Sequence, residues 1–261
     1  MSFVFFVAFV AFVVRPIIHS VLVLALDTTT RAGSCAVARD GEVLRERAGD
    51  PDRPHDMRLP GDLMALLVEV GVALDDIDVF AVATGPGSFT GLRIGIATMQ
   101  GLAFAAGKPL IGVSAFDALA LLGGSSKQGL SGGSEEQDPP YLVATWVEAW
   151  RGEVYAALYE DGVEVEPATV AHPDRLLERL SATRGIIFIG GGAQTHRDAI
   201  LAALGAGVRM AEPVAPLLAG TIALMAGESA RAGHQPPPHA IRPLYVRRPD
   251  AGAASDARPV S

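Results

Sequence analysis

The densest chemical signal in the chain is one loop, Thr84-Gly85-Pro86-Gly87-Ser88-Phe89-Thr90-Gly91-Leu92-Arg93. Three glycines and a proline force a tight backbone, and a loop that opens a helix offers unpaired N–H groups to an anion. Phosphate binding is therefore the first chemistry to weigh. The string lacks the Gly-Lys-Ser/Thr triplet that closes a nucleotide-binding P-loop, and Thr90 stands where a dinucleotide fingerprint has its third glycine. Nor is Ser88 set in a nucleophile elbow, because Pro86 and Thr90 hold the flanking positions that such a turn gives to glycine. As a bare loop it reads as a turn that lets a helix pack closely on a sheet.

A second polar turn, Asp27-Thr28-Thr29-Thr30, follows an apolar run. Asp27, Thr28 and Thr29 are weak candidates for holding phosphate or a cofactor. Close phosphate approach would need a glycine there, and Thr29 or Thr30 would intrude, so a turn-stabilising Asp27 is the simpler reading. The histidines, at positions 19, 55, 172, 196, 234 and 239, include no pair four residues apart, the spacing that sets two imidazoles on one helix face. Cys35 is the single cysteine, which excludes an internal disulfide and any Cys-only metal site, as expected of a reducing cytosol. No catalytic residue, metal or cofactor is expected.

The bulk numbers bound the rest. At 261 residues, 49% hydrophobic and 19% charged, the chain has the composition of a well-packed globular protein. Its formal charge of −8 opposes broad nucleic-acid affinity, so any RNA must be gripped mainly by something else. Residues 1–20 form an apolar extension unlike the remainder. Its first charge, Arg15, follows the run instead of preceding it, and Arg15-Pro16 cuts it short of a spanning helix. We read the extension as a start-site artefact, with the functional chain opening near Val21, a cytoplasmic location and no membrane contact.

The elements that must position these residues follow from periodicity. Val21 to Leu26 is an unbroken apolar strand; Ser34 to Arg39 and Glu42 to Arg47 make a hairpin through Asp40-Gly41, a dipeptide suited to primed turns. Leu59, Leu63, Leu66, Leu67 and Val70 recur at helical spacing, with Gly71 as the stop. A buried strand at Val79 to Thr84, the glycine loop, a helix from about Gly91 to Ala106 and a strand at Leu110 to Val113 form a parallel crossover. Residues 123–140, rich in Gly and Ser, read as a flexible loop. Tyr141 to Glu148 and Glu153 to Tyr159 read as strands, with Asp161-Gly162 as another hairpin turn. A helix at Pro173 to Ser181, a strand at Ile186 to Ile189, a Gly190-Gly191-Gly192 loop and a helix from His196 follow, then a final helix over Pro216 to Ala232. Hairpin, helix, strand, glycine loop and helix thus occur twice, which implies two similar α/β units facing one another. The expected division is a first lobe over 21–113, a second over 114–213, a helix in 214–233 that packs back on the first lobe, and a Pro-rich tail over 234–261.

As a whole string, Gly-Pro-Gly-Ser-Phe-Thr-Gly-Leu-Arg resembles the hallmark of the TsaB (YeaZ) family. Leu24-Ala25-Leu26-Asp27-Thr28-Thr29, Ile111-Gly112-Val113-Ser114, Arg151-Gly152-Glu153-Val154-Tyr155 and Pro243-Leu244-Tyr245-Val246-Arg247 are similar to further family segments in the same order. The resemblance spans roughly Val21 to Pro249 and is patchy between Ala115 and Pro140. Trp150 departs from the pattern, which has a basic residue there, and Glu148 replaces an Asp. The resemblance implies a two-lobed actin-like (ASKHA, ribonuclease H-like) fold with mixed sheets, in a non-catalytic member. It also implies a role in making threonylcarbamoyladenosine beside the tRNA anticodon, as the scaffold partner of a TsaD-like catalytic subunit, with a TsaE-like ATPase assisting, a homodimer as a further state, and tRNA met only indirectly. The catalytic sister carries a His-x-x-x-His metal pair; here the matching stretch runs from His55 to Leu59, so the second ligand is missing.

The resemblance further implies pairing through two first-lobe helices, and their apolar residues are the interface candidates: Leu59, Leu63, Met64 and Leu67 on one, Gly91, Leu92, Gly95, Ile96 and Met99 on the other. The alternatives are an ATP-dependent, sugar-kinase-like phosphotransferase of the same fold, with Asp27 near the phosphate, and a peptidase using Ser88, for which no His partner is evident.

Overall fold

The computed structural model describes residues 20–125 and 141–246. The readings made for residues 1–19, for most of the 123–140 loop and for the end of the tail fall outside these.

Two five-stranded mixed sheets carry the chain. The first contains β1 (Leu22–Asp27), β2 (Ser34–Arg39), β3 (Glu42–Ala48), β4 (Val79–Gly85) and β5 (Leu110–Ser114), in the order β3-β2-β1-β4-β5. The second contains β6 (Leu142–Glu148), β7 (Val154–Glu160), β8 (Val163–Ala171), β9 (Ile186–Ile189) and β10 (Val208–Met210), in the equivalent order β8-β7-β6-β9-β10. In each sheet the first three strands are antiparallel and the last two join in parallel. The second lobe therefore repeats the topology of the first, strand for strand. Both hairpin dipeptides turn as their types require, with Asp40 and Gly41 at φ 53 and 87 and Asp161 and Gly162 at φ 48 and 80.

Helices α1 (His55–Val70) and α2 (Phe89–Ala106) cover one face of the first sheet. Strand alternation explains the division of the core: Leu22, Leu24 and Leu26 face α1 and α2, whereas Val23 and Ala25 face the opposite side. That opposite side is shared by the lobes. There α3 (Ala115–Ser125) lies against β6 and β9, and α7 (Ala219–Arg231) lies against β1, β2 and β4, so each connection crosses to the other unit's sheet. The outer face of the second sheet is covered by α4 (Pro173–Leu180), the short α5 (Gly191–Thr195) and α6 (Arg197–Leu204), over a core in which Trp146 meets Phe188 edge-on at 5.2 Å.

Three boundaries differ from the sequence reading. Residues 123–125 belong to α3, because Gly123 is a site of close packing: a Cβ there would stand 2.5 Å from Val143. Gly191 and Gly192 open α5 instead of forming a loop with Gly190. The final helix begins at Ala219, where first-lobe side chains take its free amides: Ser34 Oγ accepts from Ala219 N at 3.1 Å and Glu46 Oε1 from Gly220 N at 2.8 Å. The described part of the tail is strapped to the first lobe. Thr84 O accepts from Leu244 N at 2.7 Å, and Gln100 donates to the carbonyls of Pro238 and Ile241.

Candidate functional site

The glycine loop and the Asp27 turn meet. Ser88 N donates to Thr29 O at 2.8 Å, and a Cβ at Gly87 would stand 2.6 Å from Thr29. Ser88 Oγ accepts from Gly91 N at 3.1 Å, so this hydroxyl caps α2 and is committed to structure. Deeper in, Thr28 is fully buried beneath α2, where Gly91 and Gly95 leave room for its carbonyl and side chain. The glycines are thus demanded by the packing of one loop on another and of a helix on a strand end.

Asp27 is buried at the base of an inter-lobe cleft of about 670 Å³. Its Oδ1 accepts from Thr29 N at 2.8 Å; burial lifts the carboxyl above the ordinary carboxylate range, and the hydrogen bonds from Thr29 offset only part of that. Opposite lies Glu148, which accepts from the Thr195 hydroxyl. Thr29, Thr30, Arg31 and Ser34 line the first-lobe wall, with Trp150, Arg151, Gly190 and Leu217 on the other side. Of the weak cofactor candidates, Asp27 and Thr29 face the cleft and Thr28 does not. Among the described residues no group of three or more His, Cys, Asp and Glu could hold a metal ion.

Behind the Thr30 loop sits a buried arginine that sequence reading missed. Arg58 donates from Nη1 to Asp62 Oδ2 at 2.6 Å, from Nη2 to His55 Nδ1 at 2.8 Å, and to the carbonyls of Arg31, Ala32 and Arg53. Because Arg58 occupies Nδ1 as a donor, the His55 proton resides on Nε2, which donates to Thr30 O at 3.0 Å. Thus α1 holds the cleft loop through two side chains. The only trace in the sequence is the His55-x-x-Arg58-x-x-x-Asp62 spacing, which places all three on one helix face.

The interface candidates separate sharply. Leu59, Leu63, Leu67, Leu92, Ile96 and Met99 are core residues between the two helices and the sheet, and Gly91 and Gly95 face Thr28. Met64 alone among them lies on the surface, 51% exposed. The helical stripe that the sequence displays is the face buried in the chain's own core, since a core face and a partner face are both apolar. The exposed apolar residues on these helices are instead Met57, Met64 and Val68, which share one side of α1, and Phe104 on α2.

A family model described as TsaD: tRNA N6-adenosine threonylcarbamoyltransferase matches residues 49–248. The tRNA threonylcarbamoyladenosine biosynthesis protein TsaB of Escherichia coli is 35% identical over 67% of this chain and 74% of its own length. The chain belongs to the TsaB (YeaZ) family. An uncharacterized protein of Mycobacterium tuberculosis is 36% identical over 88% of this chain and 93% of its own. The solved structure of YeaZ from Pseudomonas aeruginosa superimposes with a TM-score of 0.65 at 29% identity, covering 86% of this chain and 99% of that one. The expected two-lobed α/β fold with mixed sheets is the one this chain shares with the YeaZ structures. Within this TsaB-family chain no helix among the described residues is long and apolar enough to cross a membrane.

Proposed function

We propose that this chain is a TsaB-type scaffold subunit in the biosynthesis of threonylcarbamoyladenosine in tRNA, cytoplasmic and without catalysis of its own, which pairs with a TsaD-like transferase. The observation that carries the reading is the uncovered apolar strip on the first-lobe helices. Met57 is 70% exposed, Val68 76% and Phe104 81%, alongside Met64. Positions 57, 64 and 68 fall on one side of α1, and Gly61 between them has open space over its backbone, so a partner helix can approach. Such a strip is what a helix-to-helix interface of about 800 Å² per partner requires. The same strip serves a homodimer when the partner is absent. A TsaE-like ATPase then acts on the assembly, and the main grip on tRNA lies with the partner, in keeping with the net charge of −8.

Silence of the isolated chain is supported by the Ser88 cap, by the packing of Gly87 and Ser88 against Thr29, and by His55 lacking a second imidazole at position 59. The phosphotransferase reading stands on one observation, Asp27 and Glu148 lining a common cleft. The deciding experiment is depletion in the native cell with readout of the modified nucleoside in tRNA, together with recovery of a TsaD-like subunit on the purified chain. Loss of the modification and recovery of the partner are expected; ATP turnover by the isolated chain would establish the phosphotransferase instead.

A further inference from the structure

The tip of the β6–β7 hairpin is built for contact yet plays no part in the core or in the helix strip. Trp150 is 79% exposed there, whereas the chain's other tryptophan, Trp146, is 1% exposed. Its neighbour Arg151 is held at φ 63, a left-handed conformation that a side-chain-bearing residue adopts at a cost. The tip projects at the rim of the inter-lobe cleft, and Arg31 stands on the opposite wall. Neither guanidinium has an ion-pair partner among the described residues. A rigid aromatic face flanked by two uncommitted cations, over a cavity of about 670 Å³, matches a planar heterocycle joined to an anion. The carboxyl groups of Asp27 at the base and of Glu148 on the facing wall are acceptors for ribose hydroxyls or an exocyclic amine.

We propose that Trp150, Arg151 and Arg31 form a clamp at the cleft mouth that stacks and neutralises one unpaired ribonucleotide of the tRNA substrate. The proposal rests on the tRNA-modification role given above and adds a direct RNA contact to it. Single-stranded RNA is recognised by stacking splayed bases on aromatic side chains and arginine planes, and one such contact tolerates the chain's negative charge because bulk affinity comes from the partner. Burial of Asp27, which favours its neutral form, lessens repulsion of a phosphate at the mouth.

Tryptophan emission tests this directly, since Trp150 is the accessible indole of the two. At low ionic strength, an RNA stem-loop with unpaired loop bases is expected to quench the full chain saturably, adenosine monophosphate more weakly, and the same RNA annealed as a duplex least. In the assembly with the partner subunit, Trp150→Ala should weaken stem-loop binding about tenfold, with partner pairing and unfolding midpoint unchanged. Arg31→Glu with Arg151→Glu should weaken it further and flatten its salt dependence. Absence of stem-loop quenching, or unaltered RNA affinity of the Trp150→Ala assembly, overturns the clamp. Quenching by the partner subunit without RNA would make the tip a protein contact, and mononucleotide binding as tight as RNA would make it a free-nucleotide site; either overturns the proposal. Partner pairing is read separately, so failure of the scaffold role and failure of the clamp are distinguishable.

Discussion

The Thr28 side chain sits directly against the backbone of α2 at Gly95, where a Cβ would stand 2.2 Å from Thr28 Oγ1. The contact joins the end of β1 to the helix that opens at the glycine loop, and it leaves Thr28 Oγ1 buried without a hydrogen-bond partner among the described residues. Close backbone approach is being kept at the expense of a polar group, which makes the pair sensitive to volume.

Gly95→Ala should accordingly destabilise the fold by about 1–3 kcal/mol through overpacking, despite the better helix propensity of alanine. Thr28→Ala alone removes a hydroxyl that has no hydrogen-bond partner among the described residues and frees space. In chemical denaturation the double variant should recover part of the Gly95→Ala loss, and a strictly additive double-mutant cycle would mean that the two do not touch.

His55 gives the chain a pH dependence near neutrality. Burial is the main reason its pKa lies below the ordinary 6.5, with Arg58 adding to the lowering and the Thr30 carbonyl partly opposing it. Between the folded and unfolded values the unfolded chain holds more protons, so this contribution to stability is full above 6.5 and is lost as pH falls through the folded value. A protonated His55 also cannot accept from Arg58. The His55 contribution should leave unfolding midpoints level from pH 7.5 to about 6.5 and lower them as the pH falls further, and His55→Gln should flatten the slope. Arg58→Ala, which leaves the carbonyls of Arg31, Ala32 and Arg53 and the Asp62 carboxylate without their donor, should cost about 3 kcal/mol at pH 7.5, and less at pH 5, where a protonated His55 no longer accepts from it.

Charge placed on the exposed strip should separate pairing from folding. Met64→Glu should leave stability within about 0.5 kcal/mol and weaken both self-pairing and transferase binding by about 2 kcal/mol or more, read by light scattering and titration calorimetry. Leu67→Glu is a control of another kind: Leu67 is buried in the core, so an uncompensated carboxylate there costs several kcal/mol and loses the circular dichroism signal itself. A folded Met64→Glu chain that binds as tightly as the parent would move the interface away from this strip.

The union of the lobes should be felt at Glu46. Its carboxylate on β3 accepts from Gly220 N at the start of α7. Glu46→Ala should lower stability by about 1–2 kcal/mol by freeing a buried helix amide, and amide exchange in α7 should quicken before that in β1.

Much of this protein is written locally. The strand at Ile186–Ile189, the Asp40-Gly41 and Asp161-Gly162 turns and the Gly71 helix stop depend on alternation and on single-residue backbone preferences, which short stretches carry in full. The string from Thr84 to Arg93, with four further segments in order, sufficed to suggest the family, because a loop that needs glycine at fixed places for close approach and positive φ carries that need in its sequence. What the sequence could not determine is what each apolar or polar group meets. Leu67 and Met64 are both apolar on one helix, but only the sheet packed beneath α1 decides that one is core and the other surface. Arg58 carries its charge in any sequence reading; its burial against carbonyls 26 and 27 residues away exists only after the Thr30 loop folds back over α1. The cleft joins Asp27 to Glu148 and Trp150 across more than a hundred residues, and that distance closes only when α3 and α7 cross between the sheets and hold the lobes face to face.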